Sequence, residues 1–228
     1  HMILGSTATY LDNSAELLVG AELVGDELQV EVDVFNSGVG HHLPTGVTVR
    51  NCILLVEAFD DKGNALEFTG DQVVHALGGV GDPAEGYYAD QPGKIFAKCN
   101  HGEDGTGPTF FTDATGIIFD TRIPAMSIDS TDYSFALPLG GGDVTVQARL
   151  IYRRAFRAFV DAKQWTTDGH GEPLEDIEPP HYGHLMELEE FIVSGPVAGD
   201  ITGDGAVDVS DILLLISGWG SDGPGADL

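Results

Sequence analysis

The chain has 228 residues, with 37 Asp and Glu against 10 Lys and Arg, a formal charge of −27. That balance argues against a nucleic-acid or anionic-membrane partner, since both need clustered Lys and Arg to offset negative charge. A hydrophobic fraction of 42% is too high for a disordered acidic tail, and no apolar run nears the roughly 18 residues of a membrane span.

His1-Met2 reads as a vector-derived remnant, so any export signal lies upstream of this chain and His1 is no natural metal-binding terminus. Residues 27–35, ELQVEVDVF, alternate apolar and polar, which predicts a half-buried strand. Residues 36–40 break it. Residues 47–59, VTVRNCILLVEAF, predict a longer strand whose centre, ILLV, is apolar on both faces, ending in the turn cluster DDKGN at 60–64. The glycine-rich stretch 78–107 has little periodicity and is expected to be a loop covering one end of the fold.

Strands are expected again at 117–119 and 133–137, then a turn at 140–143 and a strongly alternating strand at 144–152. A short helix is predicted over 155–165 and a final strand over 187–193. Short strands separated by Gly, Pro and Asp turns, with 31 Gly and 11 Pro in all, predict a mainly β protein, an immunoglobulin-like antiparallel sandwich. It is expected to span 3–194 and to be followed by a linker at 195–199.

Cys52 and Cys99 allow one disulfide, which fits an exported protein, or two thiols, with Cys52 buried in its strand. Four of the ten basic residues, Arg149, Arg153, Arg154 and Arg157, crowd into nine positions, whereas 164–228 holds fourteen acidic residues and no basic ones. The arginines are expected to pair with that acidic segment; an anion-binding patch is the alternative.

Residues 200–211, DITGDGAVDVSD, have the spacing of a calcium loop. Ca²⁺ takes about six to eight oxygens, which a twelve-residue loop supplies from positions 1, 3, 5, 7, 9 and 12. Those positions are Asp200, Thr202, Asp204, the Ala206 carbonyl, Asp208 and Asp211, with Gly205 at the sharp turn and an apolar helix following from Ile212. Asp at the last position and a Gly-Pro linker in place of an entering helix resemble the dockerin type I repeat. The resemblance covers 200–220, with 221–228 like the start of a second repeat, and implies a short C-terminal calcium loop–helix and a cohesin-like partner.

A second resemblance rests on NSGVGHHLPTG at 36–46, Arg50, DDKG at 60–63, DTRIP at 120–124, YSF at 133–135 and ARLIYR at 148–153. Together and in this order they are similar to the C-terminal immunoglobulin-like module of multihaem c-type cytochromes. The chain has no Cys-x-x-Cys-His and so attaches no c-type haem itself. His41 either ligates a haem or copper held by a neighbouring cytochrome domain or locks its own turn; His181 and His184, in a His-x-x-His spacing beside Met186, are either further such ligands or simply packed or exposed histidines.

No Gly-x-Ser-x-Gly elbow, His-Glu-x-x-His helix, phosphate loop or dinucleotide fingerprint occurs. The expected function is therefore a non-catalytic, extracellular or cell-surface assembly module with a Ca²⁺ site. The alternatives are an electron-transfer accessory supplying histidines to a haem or copper, and part of a secreted carbohydrate-active enzyme.

Overall fold

A computed structural model describes residues 7–137, 142–168, 170–195, 199, 201–202 and 206–219. In chain order its elements are α1 (Ala8–Leu11), β1 (Glu16–Val24), β2 (Glu27–Phe35), β3 (Asn51–Phe59), β4 (Gly93–His101), β5 (Gly116–Asp120), β6 (Ile128–Ala136), β7 (Val144–Arg153), α2 (Arg157–Lys163), β8 (His184–Val193) and α3 (Val209–Gly218). The strands form two antiparallel sheets, ordered β1-β2-β6 and β5-β4-β3-β7-β8. This is a mainly β sandwich, and its strand order follows the immunoglobulin pattern of A-B-E against C″-C′-C-F-G.

The alternation of β2 turns Leu28, Val30, Val32 and Val34 inward, where they meet Cys52, Leu54 and Val56 of β3 and Val146, Ala148 and Leu150 of β7. Each fully buried Val or Leu among these contributes about 1.5–3 kcal/mol. β3 is apolar on both faces because both are covered. Its other face, Ile53 and Leu55, joins Ile95, Ala97 and Ile151 under Val74, Leu77, Tyr88, Phe156 and Val160, contributed by the segments around 73–92 and 154–160.

Arg153, on that outer face at the end of β7, is 1% exposed. Its guanidinium donates to three backbone carbonyls, Tyr182 at 2.7 Å, Gly78 at 2.9 Å and Gly86 at 2.7 Å, and stands 4.7 Å from the Tyr88 ring centre. Burial lowers its pKa to about 10, so it stays charged at neutral pH. One side chain thus fastens the segment around 73–92 and the turn at Tyr182 to the sheet. Gly86, at φ 81°, is required where it lies, since a Cβ there would come within 2.3 Å of the Tyr182 ring.

Several expectations change. Residues 47–50 form a turn, and β3 starts at Asn51. The stretch 78–107 is no loop throughout: it contains β4, whose two covered faces erase the alternation. β1 lacks a two-residue period for a related reason, with Gly20 and apolar residues on its outward side. The helix is confined to Arg157–Lys163, and β8 begins earlier, at His184. The turn at 140–143 and the linker at 195–199 lie partly outside the described residues.

The arginines do not pair as a group with the acidic segment. Arg149 pairs with Glu57, Arg157 with Asp161 and Arg153 with carbonyls, leaving Arg154 to reach Glu175 and Asp176. Cys52 and Cys99 are both free and buried. Cys52 is in register with Phe96 of β4, three residues from Cys99, so the pleat sends the two thiols to opposite faces of the sheet.

Two measurements check this fold. Arg153→Met should lower unfolding free energy in urea by on the order of 3 kcal/mol, because it leaves three buried carbonyls without their donor. Arg153→Lys should recover only part, since one ammonium lacks the fork that spans them. Neither cysteine should react with a thiol reagent until the protein unfolds: burial raises both thiol pKa values, and Cys52 is wholly enclosed.

Candidate functional site

The loop between β2 and β3 is built as a rigid shelf. Asn36, fully buried at the end of β2, donates through Nδ2 to the His41 carbonyl at 2.8 Å and the Ile123 carbonyl at 2.9 Å. Leu43 and Ile123 exchange backbone hydrogen bonds of 2.8 and 2.9 Å, and Leu43 is buried in the inter-sheet core. The apolar anchor and the amide clamp fix the loop from below, and His41 and His42 stand exposed above it.

The His41 ring has a defined proton arrangement. Its Nδ1 lies 3.0 Å from the His42 carbonyl oxygen, which can only accept. Nδ1 therefore carries the hydrogen, and in the neutral ring Nε2 keeps the lone pair that a metal takes. A backbone carbonyl holding the remote nitrogen is the usual support of a ligating histidine.

The other two histidines differ. His184, at the start of β8, has its Nε2 2.7 Å from Asp12 Oδ1 and its Nδ1 3.0 Å from Glu175 Oε1. Both nitrogens face carboxylates, the arrangement of an imidazolium and not of a ligand. Burial works against that charge, but hydrogen bonds to Asp12 and Glu175 outweigh it and raise the pKa. His181 has a buried Nδ1 without a hydrogen-bond partner, its carbonyl accepts from the Tyr88 hydroxyl at 2.9 Å, and burial lowers its pKa. The positive-φ residues Tyr182 and Gly183 intervene, so the pair is not carried on a helix. Met186 points into the core, 3.9 Å from the Cys52 sulfur.

Of the calcium-loop residues, Asp200 and Asp204 lie outside the described residues. Asp208 caps α3, accepting from Ser210 N–H at 2.6 Å. Asp211 is 2% exposed; it accepts N–H bonds from Ile201, Thr202 and Asp208 at 2.8, 2.9 and 2.7 Å, and the Thr202 hydroxyl at 3.0 Å. These donors hold its pKa down at about 2. Positions 3, 9 and 12 of the loop are thus close together, with Asp211 already serving four protein donors. Ala206 is exposed, and no group of three or more His, Cys, Asp or Glu that could hold a metal is found among the described residues.

On the outer face of the five-stranded sheet a cleft of about 260 Å³ opens between Tyr88, Pro92, Tyr182 and the paired Glu57 and Arg149. Among its described lining residues the carboxylate is Glu57, paired with Arg149. A larger depression of about 560 Å³ over Gly20, Glu31 and Asp132 is open to solvent. Neither adjoins the histidine shelf.

No family model matches the chain, and no curated protein matches it, so the dockerin and immunoglobulin-module resemblances find no support there. Among solved structures it is similar to a penta-heme cytochrome c552 from Thermochromatium tepidum, with a TM-score of 0.58 and 19% identity over 83% of this chain. The match takes in 42% of that cytochrome, so this chain spans less than half of it. At this identity the likeness is one of fold.

The His184 geometry sets a pH dependence. The protonated ring joins α1, the turn at 175–177 and β8, and its stabilisation is complete below the ordinary imidazole value of about 6.5. It is lost as pH rises through the elevated folded-state value. Thermal midpoints should therefore fall more between pH 6 and pH 9 in the wild type than in His184→Gln; equal falls would count against the staple.

Proposed function

We propose that this chain is a non-catalytic, exported β-sandwich module of a multihaem electron carrier, and that its histidine shelf faces the haem of a neighbouring cytochrome domain. The observation that carries the reading is His41: exposed, mounted on a clamped loop, and with Nε2 left as the lone-pair nitrogen. The fold likeness to a penta-heme cytochrome supports the same class.

The haem's iron would supply one-electron chemistry. This chain's residues do the positioning. Asn36 and Leu43 hold the loop, the His42 carbonyl orients the His41 ring, and the sandwich core keeps both in place. His184 has no place in that task, since both its ring nitrogens face carboxylates, and Nδ1 of His181 is buried.

A ferric haem peptide with one open axial position tests this reading. Added to the full chain, it should show the Soret shift of a second imidazole ligand. His41→Ala should abolish the shift, and His42→Ala should leave it. No shift, or a shift that survives His41→Ala, would refute the assignment.

A second reading has its own observation: Thr202 and Asp208, ahead of α3, both hydrogen-bond to Asp211 in its first turn. Calcium would be held by these with Asp200, Asp204 and the Ala206 carbonyl, taking over part of the donor set now on Asp211. Calorimetric titration with CaCl₂ should give saturable heat that vanishes in Asp204→Ala/Asp208→Ala. Its absence at millimolar calcium would remove this reading.

A further inference from the structure

The ten cations of this chain are few enough to trace one by one. Lys62, Lys94, Arg122, Arg149, Arg154 and Arg157 each stand within 4.0 Å of a carboxylate, and Arg153 is buried on carbonyls. Arg50, Lys98 and Lys163, at the end of α2, have no such carboxylate among the described residues, despite 37 acidic residues in the sequence. Arg50 and Lys98 line the same crevice, together with Arg122 and the loop residues 44–48.

Each donor is held in position. Arg122 is gripped by Asp120 through two bonds, Nε to Oδ1 at 2.7 Å and Nη2 to Oδ2 at 2.6 Å, which leaves its Nη1 outside that pair. Arg50 Nη1 donates to the Thr45 carbonyl at 3.3 Å, packed so closely over Gly46 that a Cβ there would come within 2.8 Å of it. Thr48 Oγ1 accepts from Asn100 Nδ2 at 3.2 Å, which leaves its own hydrogen to donate. Among the described residues the crevice lining holds no carboxylate, and Asp120 stands behind Arg122, whose hydrogen bonds hold it below the usual carboxylate range, with a smaller contribution from Lys98. Three cations against one anion leave the crevice positive in a strongly negative molecule.

We infer that this crevice is an oxyanion-binding site, taking one oxygen of a carboxylate or phosphate group on Arg50, Lys98 and the Thr48 hydroxyl. Its volume of about 10 Å³ admits one water-sized atom, so the rest of the ligand stands outside. The donor set is entirely of the kind that forms charge-assisted bonds to oxyanions. The crevice begins at Pro44, three residues after His41, on the same clamped loop. The site requires no haem; where the proposed function holds, a carboxylate on the haem's edge is its occupant.

Inorganic phosphate is the probe, at ionic strength held constant with NaCl. Phosphate should shift the amide resonances of residues 45–48 saturably in the full chain. Arg50→Gln/Lys98→Gln should weaken that binding about tenfold or more. Lys98→Gln alone, which keeps the Arg50 bond to the loop, should weaken it severalfold and covers the case in which the double variant does not fold. No saturable shift at 45–48, or undiminished binding in Lys98→Gln, overturns the inference. His41→Ala should leave phosphate binding intact, so failure of the haem reading and failure of this site are separate results. A ferric haem peptide and its carboxyl ester then distinguish the sources: weaker binding of the ester in the wild type but not in Lys98→Gln identifies the haem's carboxylate, and equal binding identifies a free oxyanion.

Discussion

The buried guanidinium of Arg153 organises the outer half of this molecule. The inter-sheet core needs no special device: two pleated faces close on one another and exclude water along their length. The second core is different, because it is roofed by segments that belong to neither sheet. Three carbonyls from two of those segments converge on Arg153, and Tyr88 and Tyr182 close around it. A buried charge is costly unless its donors are satisfied, so the roof segments and the arginine hold one another in a single arrangement. Asp176, 3% exposed, repeats the logic in the opposite sign: burial raises its pKa, and the Arg154 N–H at 2.7 Å and the Arg154 side chain offset that cost.

The same reasoning separates the histidines. A ring is available to an outside partner only if the protein has not already used both nitrogens. His184 is fully used, because three distant segments meet where it sits and two of them bring carboxylates. His41 is held by its immediate neighbour alone, and the rigidity beneath it comes from Asn36 and Leu43. The cation-lined crevice lies along this loop, at the end of the sandwich away from the roofed cleft. An exposed imidazole and uncompensated positive charge on one clamped loop make this end unlike the rest of an acidic surface.

Strands with one wet face were legible in the sequence. β2 and β7 alternate because one side meets the core and the other meets water or charge, and their limits follow from the pattern to within a residue. β4 and β1 were not legible, since covering both faces, or placing Gly20 and apolar groups outward, removes the period that marks a strand. Residues 200–211 show a different limit: the spacing of a calcium loop is plain, but Asp211 serves the helix cap and three loop donors, a use that Asp shares with ligation.

What the sequence determined by itself was composition, class and the local devices: an acidic chain, a sandwich of short strands, and a turn rich in His, Pro and Gly. These depend on neighbours within a few positions, which share a strand or a turn. Tertiary structure decided which arginine is buried, which thiols face apart, which histidine is already engaged and which cations lack a carboxylate. Each of those depends on what residues far along the chain bring to the same place: Asp12 and Glu175 to His184, Gly78 and Gly86 to Arg153, and Lys98 and Arg122 to Arg50. Charge and hydrogen bonding act across a few ångströms of space, whatever the separation in sequence.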